Sequence, residues 1–301
     1  MNSLSATIPI RQSNVEEDPS LDFQSTFISL DSQDPPVVSA AVTDTQSIQV
    51  PISVPSSNAS QTLASEISSG MSNCHIFLDI CCGLTRPLSQ ALLAKGCDVL
   101  SIDLLLDRSH DLLDASIFEL VLKLTASGKV SYCAASPPCR DYSRLKLRPG
   151  GPPALRTPTH LGGLPGLNCE QTLRVQESYM LLFRSVQLIQ VTCSAGGHGH
   201  LEQPLSAMSW EERCVRNYIK ECSCACVAVA ACHHGKDWAK SWLFASSLSD
   251  FAQLASKCDH PIGTHPSFAV KLDEHGNFLS RQTAAYPESL CFSIADCIGH
   301  F

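Results

Sequence analysis

From residue 75 onward, apolar positions switch repeatedly between strand-like runs and helical spacing. Ile76-Phe77-Leu78-Asp79-Ile80 is a short apolar run that reads as a strand. After Cys81-Cys82-Gly83, Pro87 opens a helix with Leu88, Ala91, Leu92 and Ala94 on its apolar face, and Gly96 stops it. Val99-Leu100-Ser101-Ile102-Asp103 is a second strand, residues 111–125 a second helix, and Val130-Ser131-Tyr132-Cys133-Ala134-Ala135 a third strand. Pro137 and Pro138 cannot continue a hydrogen-bonded ladder, so the chain leaves the sheet there and presents Cys139 at the strand's carboxyl end. Residues 169–192 predict a long amphipathic helix, with Leu173, Met180, Phe183 and Leu188 among its apolar positions. Residues 198–204 predict a strand closing on Glu202-Gln203-Pro204. The alternation of thiol and small side chains over 222–229 predicts one more buried strand. Strands alternating with helices imply an α/β fold built on a doubly wound parallel sheet.

Residues 1–72 follow neither pattern and read as a disordered, low-complexity acidic tail. The first 70 are rich in Ser, Thr, Gln, Pro and Val, with eight acidic residues against one basic residue, Arg11. Such a stretch buries too little apolar surface to offset the entropy of ordering it. The tail therefore carries nearly all of the formal charge of −8 and leaves the rest close to neutral. An acidic total thus says little against a nucleic-acid partner. Residues 73–301 suit one α/β domain, with a small insertion or reduced recognition region at about 211–280. All 16 cysteines and 11 histidines lie beyond the tail. No signal-peptide pattern and no apolar run of about 18 residues occurs, which argues against secretion and membrane spanning. Free thiols in a reducing compartment are expected, the nucleus in a eukaryote and otherwise the cytoplasm.

Three constellations carry chemistry. Asp79 and Asp103 end the first two strands, and a carboxylate ending the second is placed to accept ribose hydroxyls. Cys82 and Gly83 form the turn between, where glycine lets backbone approach a ligand closely. With one glycine instead of G-x-G-x-x-G, a cofactor with a sulfonium and no phosphate fits better than a dinucleotide. Cys139 is the second, a candidate nucleophile. Arg140, Arg144, Lys146, Arg148 and Arg156 follow it in a glycine- and proline-rich stretch that reads as a flexible basic loop. Glu202 is the third, a carboxylate on a later strand facing the same crevice.

Taken together, these residues resemble the DNA cytosine-5 methyltransferase family, over most of residues 75–297 and in the family's order. Phe77-Leu78-Asp79-Ile80-Cys81-Cys82-Gly83 resembles the S-adenosylmethionine-binding motif, Asp103 the ribose ligand and Leu112-Leu113-Asp114 the segment that contacts adenine. Ser136-Pro137-Pro138-Cys139, with Ser143 beyond it, is similar to the Pro-Cys nucleophile motif. Glu202-Gln203-Pro204 stands in place of Glu-Asn-Val, and Thr283-Ala284-Ala285-Tyr286-Pro287 resembles the carboxyl-terminal motif. The family's Gln-x-Arg-x-Arg is not visible, and Lys240 is a candidate substitute cation. The shortness resembles phage- or retroelement-encoded members.

The resemblance implies a class I, Rossmann-like methyltransferase. Cys139 and Glu202 would be catalytic, and Asp79, Cys82, Gly83, Asp103, Asp114 and Pro137 would surround the cofactor. Ser143, Arg140, Arg144, Lys146, Arg148 and Lys240 would meet a nucleic acid, DNA first. An RNA cytosine methyltransferase and a catalytically silent nucleic-acid-binding module on the same fold are the alternatives. Separately, Cys232, Cys258, His260 and His265 include a Cys-x-His-x4-His spacing of the kind zinc uses, but no C-x2-C pair accompanies it. Packed thiols and surface histidines are the expected reading there.

Overall fold

The first strand is buried at all five positions, which requires cover on both of its faces. That cover defines the molecule. A computed structural model describes residues 75–261, 263–266, 271–275 and 279–299, together with Ser65. The expected tail, residues 1–72, lies outside the described residues but for Ser65. Six strands form one sheet: β1 (Ile76–Ile80), β2 (Asp98–Ile102), β3 (Val130–Ala135), β4 (His198–Pro204), β5 (Ala225–Ala230) and β6 (Ser241–Ser246). The helices are α1 (Pro87–Ala94), α2 (Ala115–Ala126), α3 (Cys169–Ser194), α4 (Arg213–Glu221) and α5 (Glu288–Ile298).

One face of the sheet packs Ile76, Leu78, Ile80, Cys133 and Leu201 against α2, α3 and α4. The other packs Phe77, Tyr132, Ala134 and Phe244 against α1 and α5. Strand side chains alternate in direction, so β1, β2, β3 and β6 each feed both cores. The third and fourth strands lie close together. A Cβ on Gly199 would come within 2.5 Å of the Cys133 carbonyl oxygen and 2.8 Å of Ile189.

The sheet order is β2-β1-β3-β4-β6-β5. Strands β1 to β4 are parallel, and β6 runs antiparallel to both β4 and β5. The fold is thus α/β and Rossmann-like, but the sheet is mixed where a wholly parallel one was expected. The reason is local. Residues 231–240 are too short for the crossover a parallel neighbour needs, so β6 folds back as a hairpin. This also corrects the reading of the 222–229 run. Strand β5 lies at the sheet's edge and Cys226 is exposed. Of the stretch 211–280, α4, β5 and β6 belong to the sheet and its cover. Among the described residues, no helix is long and apolar enough to cross a membrane.

Candidate functional site

The chain runs from β1 outward to β2, then crosses back to place β3 on the other side of β1. The two connections diverge between β1 and β3, and open α/β sheets hold their ligands at such a point. The β1 exit turns sharply, with Cys81, Gly83 and Arg86 all at positive φ (56°, 72° and 44°). Asp103, just past β2, reaches across with one carboxylate oxygen 2.8 Å from the Gly83 amide and the other 2.8 Å from the Leu105 amide. Asp79 points toward α1 and accepts from Ser89 Oγ at 2.6 Å and from the Ser89 backbone. It satisfies a donor that the helix start leaves open, since Arg86 provides no side-chain cap. Burial raises the Asp79 pKa to about 6 against these hydrogen bonds. Cys82 is half-buried in the turn, and burial together with Asp79 and Asp103 pushes its thiol pKa up. Asp114 caps α2, accepting from the Ser116 and Ile117 amides.

The Pro-Pro turn is fastened at each end. The Ser136 amide donates to the Ile80 carbonyl at 3.0 Å, and the Tyr142 amide to the Cys139 carbonyl at 2.9 Å. Between them, the carbonyl of buried Pro137 accepts from Gln203 Nε2 at 2.5 Å, and Ser209 Oγ holds the other end of that amide at 3.0 Å. Gln203 and Glu202 are neighbours on β4 and therefore face opposite sides. One clamps the Pro-Pro turn; the other faces Tyr286.

Glu202 is buried, and the hydroxyls of Tyr286 and Ser136 bond to its carboxylate. Those two hydroxyls are 2.8 Å apart. Burial raises the Glu202 pKa to about 7, and Lys240 works against the rise. Lys240 arrives because β6 is antiparallel: the pairing of Pro204 with Trp242 puts the residue preceding β6 at the carboxyl end of β4. Its ammonium donates to the Thr283 carbonyl at 2.5 Å and lies 5.1 Å from the Trp242 ring centre. Burial lowers its pKa, while Glu202 and Cys139 raise it. Burial and then the Glu202 charge push the Cys139 thiol pKa up to about 11, with Lys240 and Lys146 opposing. Cys139, Glu202 and Lys240 are thus electrostatic neighbours drawn from three parts of the chain.

The expected flexible basic loop is held down at two points. Arg156 is 1% exposed and is bonded to the carbonyls of Leu161 and Val175, to Ser178 and to Glu212. It is a structural anchor and is not available to phosphate. Asp141 is buried, which alone would raise its pKa, but Lys146 and Arg174, each 2.7 Å away, hold it below the usual carboxylate range. Lys146 is therefore turned inward. Arg140 and Arg148 are exposed, Arg144 pairs with Glu211 at 2.5 Å, and Ser143 caps the short turn Arg144–Leu147.

Sequence reasoning did not single out Ser136, Gln203 or Tyr286 as site residues. Tyr286 was legible only through its motif; Gln203 was legible in principle, because period-two alternation must turn it away from Glu202. The structure also gathers Cys232, Cys258, His260 and His265, whose ligating atoms all lie within 4.8 Å of one another. In comparisons with known proteins, the chain matches no family model, no curated protein and no solved structure.

Proposed function

We propose that this chain is an S-adenosylmethionine-dependent methyltransferase on a class I fold, transferring a methyl group to C5 of cytosine in DNA through a covalent bond from Cys139. The observation that carries the reading is the convergence of Cys139 and Glu202, 63 residues apart, with Lys240 at the carboxyl edge. That edge adjoins the switch point framed by Gly83 and Asp103.

The crevice residues fit the cofactor. The Gly83 side facing out of the turn is open, with no atom within 4 Å of a would-be Cβ. Asp103 keeps acceptor capacity on both oxygens beyond its two backbone contacts, as a ribose diol requires. Leu84, Leu104 and Leu105 are exposed around it, apolar surface against which a purine can lie. Bound there, S-adenosylmethionine supplies an electrophilic methyl group.

The chain's own residues handle the base. Cytosine C5 becomes nucleophilic once sulfur adds to C6, so Cys139 must first lose a proton that its surroundings hold tightly. A carboxyl group with a pKa of about 7 can take a proton at neutral pH and can offer one to N3 as charge develops on the ring. Lys240 offsets the negative charge that thiolate and carboxylate would otherwise share. Once C5 carries the methyl group, loss of its proton to a solvent base re-forms the C5–C6 double bond, the C6–S electron pair returns to Cys139 and the enzyme is freed. The base must leave the stack to reach Cys139, and exposed Arg140 and Arg148 are free of burial and could contact its flanking phosphates.

Incubation of the full chain with labelled cofactor and DNA containing 5-fluorocytosine tests the reading. A denaturation-resistant adduct in the wild type, absent in Cys139→Ser, is the expected result. Folded protein that binds the cofactor but gives neither adduct nor transfer would overturn it. Transfer to RNA alone would reassign the substrate.

A further inference from the structure

We infer that Cys232, Cys258, His260 and His265 form a closed, four-ligand Zn2+ site that ties the outer edge of the sheet to the segment following β6. Two stretches meet there through one backbone hydrogen bond and two side-chain contacts. The Ser256 amide donates to the Ala228 carbonyl at 3.0 Å, and the Ala230 amide donates to Ser256 Oγ at 3.0 Å. Ser256 thus lies against the open edge of β5, between Ala228 and Ala230. Cys258 follows Ser256 by two residues and Cys232 follows Ala230 by two, so the same register carries both thiols to one place. His233, beside Cys232, holds the Lys257 carbonyl at 2.8 Å and fastens the two stretches again.

The ligating atoms have the right kind and spacing. Zinc takes thiolate sulfur at about 2.3 Å and imidazole nitrogen at about 2.0–2.1 Å, which in a tetrahedron separates sulfur from nitrogen by roughly 3.5 Å. Cys258 Sγ lies 3.6 Å from His260 Nδ1 and 3.2 Å from His265 Nε2, and all four ligating atoms fit within 4.8 Å. The His265 ring is oriented for the task. Its Nδ1 bonds the Asp237 carbonyl at 2.8 Å, which as a donor leaves Nε2 as the lone-pair nitrogen facing Cys258. A backbone carbonyl on the far imidazole nitrogen is the usual outer partner of a zinc-bound histidine.

Two thiolates and two neutral imidazoles neutralise the ion and fill its four positions, so the site is structural and holds no water for catalysis. Its place explains its use. Asp237 belongs to the connection between β5 and β6, and the Ala231 amide, next to Cys232, donates to the Lys240 carbonyl at 2.8 Å. The ion would brace the connection that delivers Lys240 to the carboxyl edge. The assignment does not depend on methyl transfer, because its readout is metal content.

The test uses the tag-free full chain, purified without chelator and analysed for metal by mass spectrometry. About one equivalent of zinc per chain is expected in the wild type and in Cys226→Ser, which removes a nearby exposed thiol outside the cluster. Cys258→Ser and Cys232→Ser should each lose most of it. Should those variants fail to fold, wild-type protein stripped of metal and titrated with Co2+ should develop thiolate-to-cobalt charge transfer and the intense visible bands of a tetrahedral ion, saturating at one equivalent. Folded wild-type protein that carries under a tenth of an equivalent and gives no such bands would overturn the assignment. So would zinc retained at one equivalent in a folded Cys232→Ser, Cys258→Ser double variant.

Discussion

The carboxyl edge of this sheet holds cysteines in two unlike settings. At the end of β3, Cys139 is enclosed beside a buried carboxylate, and both burial and charge oppose its ionisation. At the end of β5, Cys232 meets Cys258 near the surface, among two imidazoles and no buried acid. In the proposed readings the same side chain is a guarded nucleophile in one place and a ligand in the other. The difference follows from what faces the sulfur: a single thiol against Glu202 with Lys240 behind it, or paired thiols with nitrogen donors at tetrahedral spacing. A cysteine's chemistry thus depends on its neighbours' charge and donor atoms as well as on how far it is buried.

The sharpest way to separate the two settings is to remove Cys139. Cys139→Ser should lower methyl transfer by about 10³-fold or more while leaving cofactor binding and metal content intact. Transfer surviving within tenfold would move the nucleophile elsewhere.

A smaller effect concerns the buried carboxylates that distinguish the β1–β4 end. The folded-state pKa of Asp79, about 6, lies above its ordinary value of 3.8, so the native protein holds that proton more tightly than the unfolded chain does. Ionisation therefore costs nothing below about pH 4 and the full amount above about pH 6, on the order of 3 kcal/mol. Wild-type stability from this group falls as pH rises through that window, and Asp79→Asn should lack the slope. Urea denaturation of both proteins across the window measures it. Taking the difference between them cancels His200, whose pKa burial lowers to about 3 and which acts in the opposite sense: its stability is present above its ordinary pKa of 6.5 and is lost as pH falls. A difference constant with pH would mean that Asp79 is not desolvated.

The close approach of β3 and β4 gives a third test. Gly199→Ala forces a methyl group against the Cys133 carbonyl and Ile189, and should destabilise by about 1–3 kcal/mol in the same denaturation assay. An unchanged midpoint would show the strands free to separate there.

The smallest effects should refine the electrostatics of Cys139. Glu202→Gln removes the charge that raises the thiol, so alkylation of Cys139 by iodoacetamide at pH 8 should speed up by up to about tenfold. Lys240→Met should slow it. Peptide-level mass spectrometry separates Cys139 from the other thiols, and equal rates in all three proteins would dissolve the proposed coupling.

Much of the parallel half could be read directly. The runs at Ile76, Val99 and Val130, the Pro87 start and the paired prolines are local signals, and each produced the element it implies. The carboxylates Asp79, Asp103 and Glu202 followed, because a residue at a strand's carboxyl end has one edge to occupy. The antiparallel half was harder. Ser241–Ser246 carries no alternation to advertise a strand, and β5 looked buried although nothing in its own residues says whether a neighbour lies on both sides. Arg156 was misplaced for a related reason. Among five basic residues and several glycines it looks like solvent-facing charge, yet Glu212, Ser178 and two carbonyls close around it from distant segments.

Short-range order thus lay in the residue pattern, since periodicity, proline and glycine act within a few positions and need no partner. The pairing of β6, the arrival of Lys240 beside Glu202 and Cys139, the grip of Gln203 on Pro137 and the meeting of Cys232 with Cys258 were all settled by the folded sheet. Each joins groups from distant segments of the chain, and their proximity depends on strand order and register, which no single segment encodes.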